Sequence, residues 1–143
     1  MVLETVYEGL IAGTKNVDPT ALTDATEIVA GRICTLEKGG TKDPGVVYFA
    51  GLTNSTDTPF GLNADYKDDV IANGKCSVYF TPGLYLTDQT SGAIAKGDVL
   101  SFTATGLLAK AVTADYIVGI CTEAAGSDGF IELYLNITGS VSL

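Results

Sequence analysis

The stretch FIELYLNI, residues 130–137, contains the pattern that decides the fold of this chain. Apolar and polar side chains alternate along it, with Ile131, Leu133, Leu135 and Ile137 on one face and Glu132, Tyr134 and Asn136 on the other. A period of two is typical of a β-strand with one buried face. Asp128-Gly129 immediately before this stretch is a strong hairpin turn signal. We therefore predict that residues 130–137 pair antiparallel with the apolar run at 116–122.

Further short strands are indicated along the chain. Residues 98–104 alternate in the same way. The β-branched and aromatic run at 46–50 lies between two glycines, which favours a central strand. Residues 75–86 predict a second hairpin, because Pro82-Gly83 supplies a turn between two strand-like runs.

The chain divides into an N-terminal segment and an all-β domain. Residues 1–26 are predicted to form an N-terminal arm and loop, and residues 27–143 a single all-β domain with less than about a tenth of its residues in helix. A second polar stretch, residues 53–73, is also interpreted as a loop. Six apolar residues of the arm have no place in the strand pattern. We predict that they contact a partner: Val2, Leu3, Val6, Tyr7, Leu10 and Ile11.

Two parts of the domain resemble each other. Residues 28–36 align without gaps with residues 94–102, and Gly31 then coincides with Gly97. The alignment indicates an internal repeat that spans 28–52 and 94–122, with the two glycines at equivalent positions of one strand-turn unit. Chance similarity is the alternative.

Charge and composition limit the kinds of partner. Charged residues make up 17% of the 143 residues, whereas an ordinary soluble domain has about 25%. Uncharged side chains must therefore cover much of the surface, and part of it is available for contact with a partner. The formal net charge is −9, from 17 acids and 8 bases. Without a cluster of bases, this charge argues against binding to nucleic acid or an anionic membrane.

Residue types that carry catalysis or bind metals are poorly represented. The sequence contains no histidine, which removes Ser-His-Asp and Cys-His catalysis. Its three cysteines are far apart and odd in number, which argues against a disulfide framework or a zinc site; they are Cys34, Cys76 and Cys121. We therefore predict no catalytic, cofactor-binding or metal-binding residue, and a protein that is not an enzyme.

Acidic residues offer the alternatives to that prediction. Pairs of carboxylates could carry out acid–base chemistry, and the candidates are Asp65, Asp68, Asp69, Glu123 and Asp128. All of them fall in predicted loops, and we interpret them as solvated side chains. A loose surface Ca²⁺ site at 65–69 is the other alternative, although the central glycine and distal glutamate of an EF-hand loop are missing.

Several short runs resemble small capsid decoration (cement) proteins of tailed bacteriophages. These are residues 95–100, Gly106, residues 116–121 and residues 129–135. They follow the order Gly-Asp-apolar, Gly, apolar-Val-Gly-apolar and Gly-strand that such chains show. Residues 6–10 and 29–32 are similar to the openings of those chains. The resemblance implies a β-barrel-like or β-sandwich domain with an extended N-terminal arm, which forms a homo-oligomer, often a trimer.

From this resemblance we expect a virion structural protein that decorates and stabilises a phage capsid by binding across major capsid protein subunits. It would lie on the capsid surface after assembly in the host cytoplasm, and it would use no cofactor. A carbohydrate-binding or fibre-base module on the virion surface is the alternative, and it requires an exposed aromatic groove. The strand pattern places Tyr79, Tyr85 and Tyr134 on outer faces. An enzyme that works with carboxylates would instead require two acids that converge in a cleft.

Overall fold

The computed structural model describes residues 12–17, 29–36, 46–48 and 58–143. Within these ranges the chain forms ten strands and one short helix, which confirms the prediction of an all-β domain. The strands are β1 Ala12–Val17, β2 Ile33–Leu36, β3 Val46–Tyr48, β4 Thr58–Asn63, β5 Lys75–Tyr79, β6 Gly83–Thr87, β7 Val99–Phe102, β8 Leu108–Lys110, β9 Gly119–Glu123 and β10 Ile131–Leu135. The helix α1, Lys67–Asn73, lies between β4 and β5 in the chain.

The strands belong to two sheets. In the first sheet the order is β1-β3-β2-β4-β5, and β5 pairs antiparallel with β1, so that the sheet closes on itself. The parallel pair of β1 and β3 completes this closure. The second sheet has the order β6-β10-β9-β7-β8. Its two edges approach each other through an isolated parallel bridge between Thr90 and Leu108, but the sheet stays open.

The hairpin at the end of the chain has the predicted pairing. β9 and β10 are antiparallel, with Cys121 opposite Leu133 and Ile120 opposite Tyr134. The alternation of FIELYLNI also has the predicted sense, because Leu133 is buried and Tyr134 is exposed. The turn between the strands contains Gly129 with a positive φ of 79°, which agrees with the Asp-Gly signal.

The predicted hairpin at 75–86 is wrong, although both of its strands exist. β5 pairs with β1 and β4 in the first sheet, whereas β6 pairs with β10 in the second. The segment around Pro82-Gly83 therefore carries the chain from one sheet to the other. Each strand forms five residue pairs with a strand distant in sequence. Those ladders satisfy more backbone groups than a local turn could, so they outweigh the turn signal.

Part of the predicted N-terminal loop is a strand. β1 lies within residues 12–26, and it pairs with β5 from Ala12 opposite Tyr79 to Asn16 opposite Lys75. Its sequence, AGTKNV, lacks the apolar alternation that marks a strand. The pairing depends on backbone hydrogen bonds to a neighbour that the local sequence does not contain. Residues 1–11 lie outside the described residues, so the arm remains a prediction.

The polar stretch at 53–73 also contains regular structure instead of the predicted loop. β4 pairs with both β2 and β5. Helix α1 is held against the molecule by Val70, whose side chain is completely buried. Gly74 ends the helix in the left-handed conformation, and its N–H donates to the carbonyl of Val70 at 2.8 Å. One buried side chain and one cap are enough for a helix of this length, but they are weak signals in a sequence.

The two sheets repeat one topology. Starting from β1, the first sheet can be written β1-β5-β4-β2-β3, and the second sheet is β6-β10-β9-β7-β8, which is the same order shifted by five strands. The registers agree as well. Ile33 is opposite Leu62, which is opposite Tyr79, and in the second sheet Val99 is opposite Ile120, which is opposite Tyr134. The chain is therefore built from two structurally equivalent five-stranded units.

The turns before β2 and β7 show the equivalence in detail. Gly31 and Gly97 have φ values of 92° and 90°. In each turn the residue after the glycine donates its N–H three residues back, at 3.3 Å from Arg32 to Val29 and at 3.0 Å from Asp98 to Ala95. Glycine in third place with positive φ is the arrangement of a type II turn.

One hydrophobic core joins the units. Ile33 and Leu62 of the first sheet cluster with Leu100, Leu133 and further buried side chains of the second sheet. The rings of Tyr79 and Tyr85, one from each sheet, have centroids 5.1 Å apart. One face of the closed sheet thus packs on the open sheet. The prediction of a single compact all-β domain is confirmed, and of its two alternatives the packing of the domain is the sandwich-like one.

We expect alanine at the two equivalent glycines to destabilise the fold unequally. Gly97→Ala should lower the free energy of unfolding by about 1–2 kcal/mol, because the added Cβ meets open space and only the left-handed backbone is strained. Gly31→Ala should lower it further, since its Cβ would also overlap Oγ1 of Thr87. Urea unfolding measures both changes.

The control is Gly126→Ala, in a loop without this strain, where the nearest atom to the added Cβ is a carboxylate oxygen of Asp128 at 3.6 Å. It should change stability by less than about 0.5 kcal/mol. Equal losses at Gly31 and Gly97 would contradict the described contact between Gly31 and Thr87.

Candidate partner-binding surface

Four large apolar side chains form a continuous strip on the exposed face of the second sheet. We call them the outer row: Leu84 on β6, Tyr134 on β10, Ile120 on β9 and Val99 on β7. Each lies directly opposite the next across the paired strands. Their exposed fractions are 51%, 39%, 44% and 37%, in that order. The strip therefore crosses four of the five strands without an ionisable group that is charged at neutral pH.

The position of the outer row follows from the pleat of the strands. Successive side chains point to opposite faces, so Leu133 and Leu135 enter the core while Tyr134 between them faces outward. Leu86, two residues beyond Leu84, extends the apolar surface. Its opposite residue is Glu132, whose carboxylate accepts a hydrogen bond of 2.8 Å from the hydroxyl of Thr122. Glu132 is therefore the charged residue that borders the strip on the side of Leu86.

Two ion pairs also border the row, one beside Val99 and one at Glu123, which lies opposite Glu132. Asp98 precedes Val99, and its carboxylate is 3.5 Å from the ammonium group of Lys110. Glu123 follows Ile120 by three residues and pairs with Lys96 at 3.0 Å. Both side chains of the Lys96–Glu123 pair are well exposed, and exposed pairs of this kind contribute little to stability. Their arrangement gives the surface an apolar centre with a polar rim, which is the usual anatomy of a protein–protein interface.

An open groove of about 440 Å³ lies elsewhere, at the junction of the two sheets. Its aromatic lining is Tyr66, Tyr79, Tyr85 and Phe130. The polar groups beside them already have partners. The amide of Gln89 accepts from Arg32 at 3.1 Å and donates to Asp88 at 2.9 Å, and Asn63 bonds to the backbone of Asp65.

Two of the three tyrosines predicted on outer faces are elsewhere. Tyr134 is exposed and belongs to the outer row. Tyr79 and Tyr85 are half-buried, because they stack on each other where the sheets meet. The prediction for these two is wrong because the face of a strand that looks polar in sequence can be covered by the other sheet.

The candidate acidic residues do not converge on one site. Asp68 and Asp69 occupy the first turn of α1 and are exposed. Asp65 accepts a hydrogen bond of 2.7 Å from the N–H of Ser77, and Asp128 accepts one of 3.1 Å from Phe130. Glu123 is the partner of Lys96. In residues 12–17, 29–36, 46–48 and 58–143, no group of three or more His, Cys, Asp or Glu side chains could hold a metal ion.

The three cysteines are free and buried. Burial raises the pKa of the Cys34 thiol well above its usual value, and the nearby Cys76 adds to the effect. Burial, with a smaller contribution from the Asp65 carboxylate, raises the pKa of Cys76 to about 12. Burial also raises the pKa of Cys121. All three thiols therefore stay protonated near neutral pH, in which form they are poor nucleophiles and poor metal ligands.

The residues predicted from sequence to contact a partner, Val2 to Ile11 in the arm, lie outside the described residues. The sequence patterns did not predict the outer row, although the sequence contains a signal for it. Leu84 and Leu86 repeat with a period of two, and Ile120 lies between Gly119 and Cys121 in a run that is apolar on both faces. A second apolar face on a strand indicates either a second buried layer or a binding surface.

No family model and no curated protein sequence matches this chain. No helix in the part of the chain that the structure describes is long and apolar enough to cross a membrane.

We expect the buried thiols to make the fold sensitive to alkali. The pKa of Cys76 is about 12 in the folded chain against 9.0 when solvated, so the unfolded chain loses this proton first. The contribution of the protonated Cys76 thiol to the free energy of unfolding is complete below pH 9 and falls as the pH rises towards 12. Between about pH 8 and 10 the free energy of unfolding should therefore decrease by about 1 kcal/mol less in Cys76→Ala than in the wild type.

Urea unfolding at the two pH values measures this difference. Val78→Ala is the matched control, because it removes atoms from a neighbouring buried position without a titrating group. It should be less stable at both pH values but lose as much on alkalisation as the wild type. An unchanged pH dependence in Cys76→Ala would show that its thiol is not shielded from water.

Proposed function

We propose that this protein is a capsid decoration protein of a tailed bacteriophage. In this role it binds across neighbouring major capsid protein subunits on the outside of the shell and holds them together. The observation that carries the proposal is the outer row, an apolar strip with a polar rim on a chain of low charge content, which suits the contacts with further copies of the chain that this role includes. Such a surface gains free energy when a protein partner covers it.

Three of the four members of the outer row lie in runs that resemble decoration proteins, and Leu84 on β6 lies outside those runs. Val99 lies in residues 95–100, Ile120 in 116–121 and Tyr134 in 129–135. These runs form the turn before β7, the approach to β9 with its first residues, and β10. The resemblance and the exposed surface therefore rest on the same three strands, which supports a binding role for them.

The mechanism follows from linkage. A protein that binds the assembled lattice more tightly than separate subunits stabilises the lattice by the difference in binding free energy. No chemical step is required, which agrees with a sequence that has no histidine and with the protonated, buried thiols. We therefore propose a non-enzymatic structural role without a cofactor, on the virion surface, with assembly in the host cytoplasm. The partners are further copies of the chain, as a trimer by resemblance, and the major capsid protein.

The test uses heads of the phage that encodes this sequence, prepared without the protein. The purified full chain should cosediment with intact heads to a saturating copy number and raise the temperature at which they release DNA. It should bind unassembled capsid protein at least about tenfold more weakly, since stabilisation requires that preference. Failure to bind heads, or equal binding to free subunits, would overturn the proposal.

We expect the N-terminal arm to contribute to that binding. Val6, Tyr7 and Leu10 replaced together by serine should weaken binding to heads by at least about tenfold. Burial of one large apolar side chain contributes roughly 1.5–3 kcal/mol, and only part of this is retained after the arm is held in place. Cosedimentation at graded concentrations gives the affinity, and far-UV circular dichroism verifies that the strands persist.

A matched control replaces Glu4 and Glu8 by glutamine, which alters the same segment without changing its apolar side chains. Its affinity should stay within about threefold of the wild type, the usual range for exposed charges. If the serine variant binds as tightly as this control, the arm does not contact the capsid.

A carbohydrate-binding module is the second candidate, because the aromatic groove at the sheet junction provides the feature that this function requires. Tyr66 is well exposed there and could stack on a sugar ring. This function ranks second because Gln89 and Asn63 already have hydrogen-bond partners within the protein. If it is correct, a glycan array should give a signal that Tyr66→Ala removes and Tyr134→Ala, outside the groove, does not.

A further inference from the structure

The structural repeat assigns an equivalent to each of the four members of the outer row. Val99 corresponds to Ile33, Ile120 to Leu62 and Tyr134 to Tyr79, because each set occupies the same register positions on equivalent strands. Leu84 corresponds to the smaller Ala12. Three of the four positions thus have the same chemistry in both sheets: two aliphatic side chains and a tyrosine, on three neighbouring strands.

The two rows differ in what covers them. Ile33 and Leu62 have exposed fractions of 0% and 3%, and Tyr79 is half-buried. All three pack on the second sheet, through the shared core and the stacked rings of Tyr79 and Tyr85. The row of the first sheet is therefore buried by a five-stranded unit of this same chain, whereas the row of the second sheet is exposed.

We infer that the outer row is the surface through which copies of this chain associate, with a second copy as its occupant. Within one molecule, the equivalent row already demonstrates that a unit of this fold covers such a strip. The inner face that covers it, with Leu100 and Leu133, is already buried in every copy, so a second copy covers the outer row with its own outer row, in a self-complementary contact. This inference deepens the self-association part of the proposed function and rests on that part alone.

Electrostatics supports the same occupant. Two molecules that each carry a net charge of −9 repel each other. They can approach closely only where the surfaces are uncharged, and the outer row crosses four strands without an ionised group. Of the acids that border the row, Asp98 and Glu123 are partly neutralised by Lys110 and Lys96, and the carboxylate of Glu132 accepts a hydrogen bond from the Thr122 hydroxyl. A basic partner would gain nothing from the four side chains of the row itself.

Sedimentation velocity of the full chain over a range of concentrations tests the inference. The wild type should associate reversibly. Leu84→Thr combined with Ile120→Thr should raise the dissociation constant by at least about tenfold, since threonine keeps the strand preference but removes apolar contact area. The matched control combines Val112→Thr with Val141→Thr, two residues of similar or greater exposure, 65% and 49%, that lie outside the row. It should change the constant by less than about twofold.

Each result of these measurements either supports or contradicts the inference about the outer row. A wild type that remains monomeric, or a control that weakens association as much as the row variant, overturns the inference. If the chain associates and binds heads but the row variant associates normally, only this inference fails. If association depends on the row but no heads are bound, the inference holds and the capsid proposal fails.

Discussion

Burial of one face of the closed first sheet by the open second sheet is the interaction on which the described structure depends. The second sheet consists of strands of three to five residues, and its apolar inner face must be buried against another element of the fold. Ile33 and Leu62 fill that face. Backbone contacts fix the junction, because Ile33 donates its N–H to the carbonyl of Gly106 at 2.8 Å and the Thr87 hydroxyl donates to the carbonyl of Gly31 at 3.0 Å. The two units therefore form one compact domain.

Equivalent positions of the two units form different contacts near this junction. Arg32 follows the first turn, and its guanidinium donates to Gln89 at 3.1 Å and to the carbonyl of Thr105 at 3.2 Å, which links the two sheets. Asp98 follows the second turn, and its carboxylate instead accepts the N–H of Ala95 within its own turn at 2.8 Å. One residue bridges the units and its equivalent stabilises a local turn. The two units have the same backbone arrangement. The side chains at the junction differ between them, and these differences determine which sheet packs over the other.

Local patterns predicted those elements whose partners are near in sequence. The β9–β10 hairpin was predictable because Asp128-Gly129 and the alternation around Leu133 lie within one short stretch, and the two glycine turns were visible as an alignment of 28–36 with 94–102. Pairing between distant strands was not predictable. β5 pairs with β1 and β4 and not with β6, and no residue pattern near Pro82 predicts that pairing. β1 has no strand pattern of its own, because its place is specified by the backbone of β5.

The candidate surface was harder to predict than the fold for a related reason. A period of two separates the faces of a strand but does not say which face another sheet will cover. Ile33 and Val99 have the same register position and similar side chains, yet one is buried and the other exposed. The difference arises from the order of the units: the first unit has a successor that covers its row, and the second has none within the described chain. At physiological salt, charges more than about 8 Å apart are largely screened from each other. The net charge of −9 therefore does little to prevent another protein from contacting the apolar strip. An uncovered row at the end of such a stack is therefore the place where the next protein surface is expected to bind.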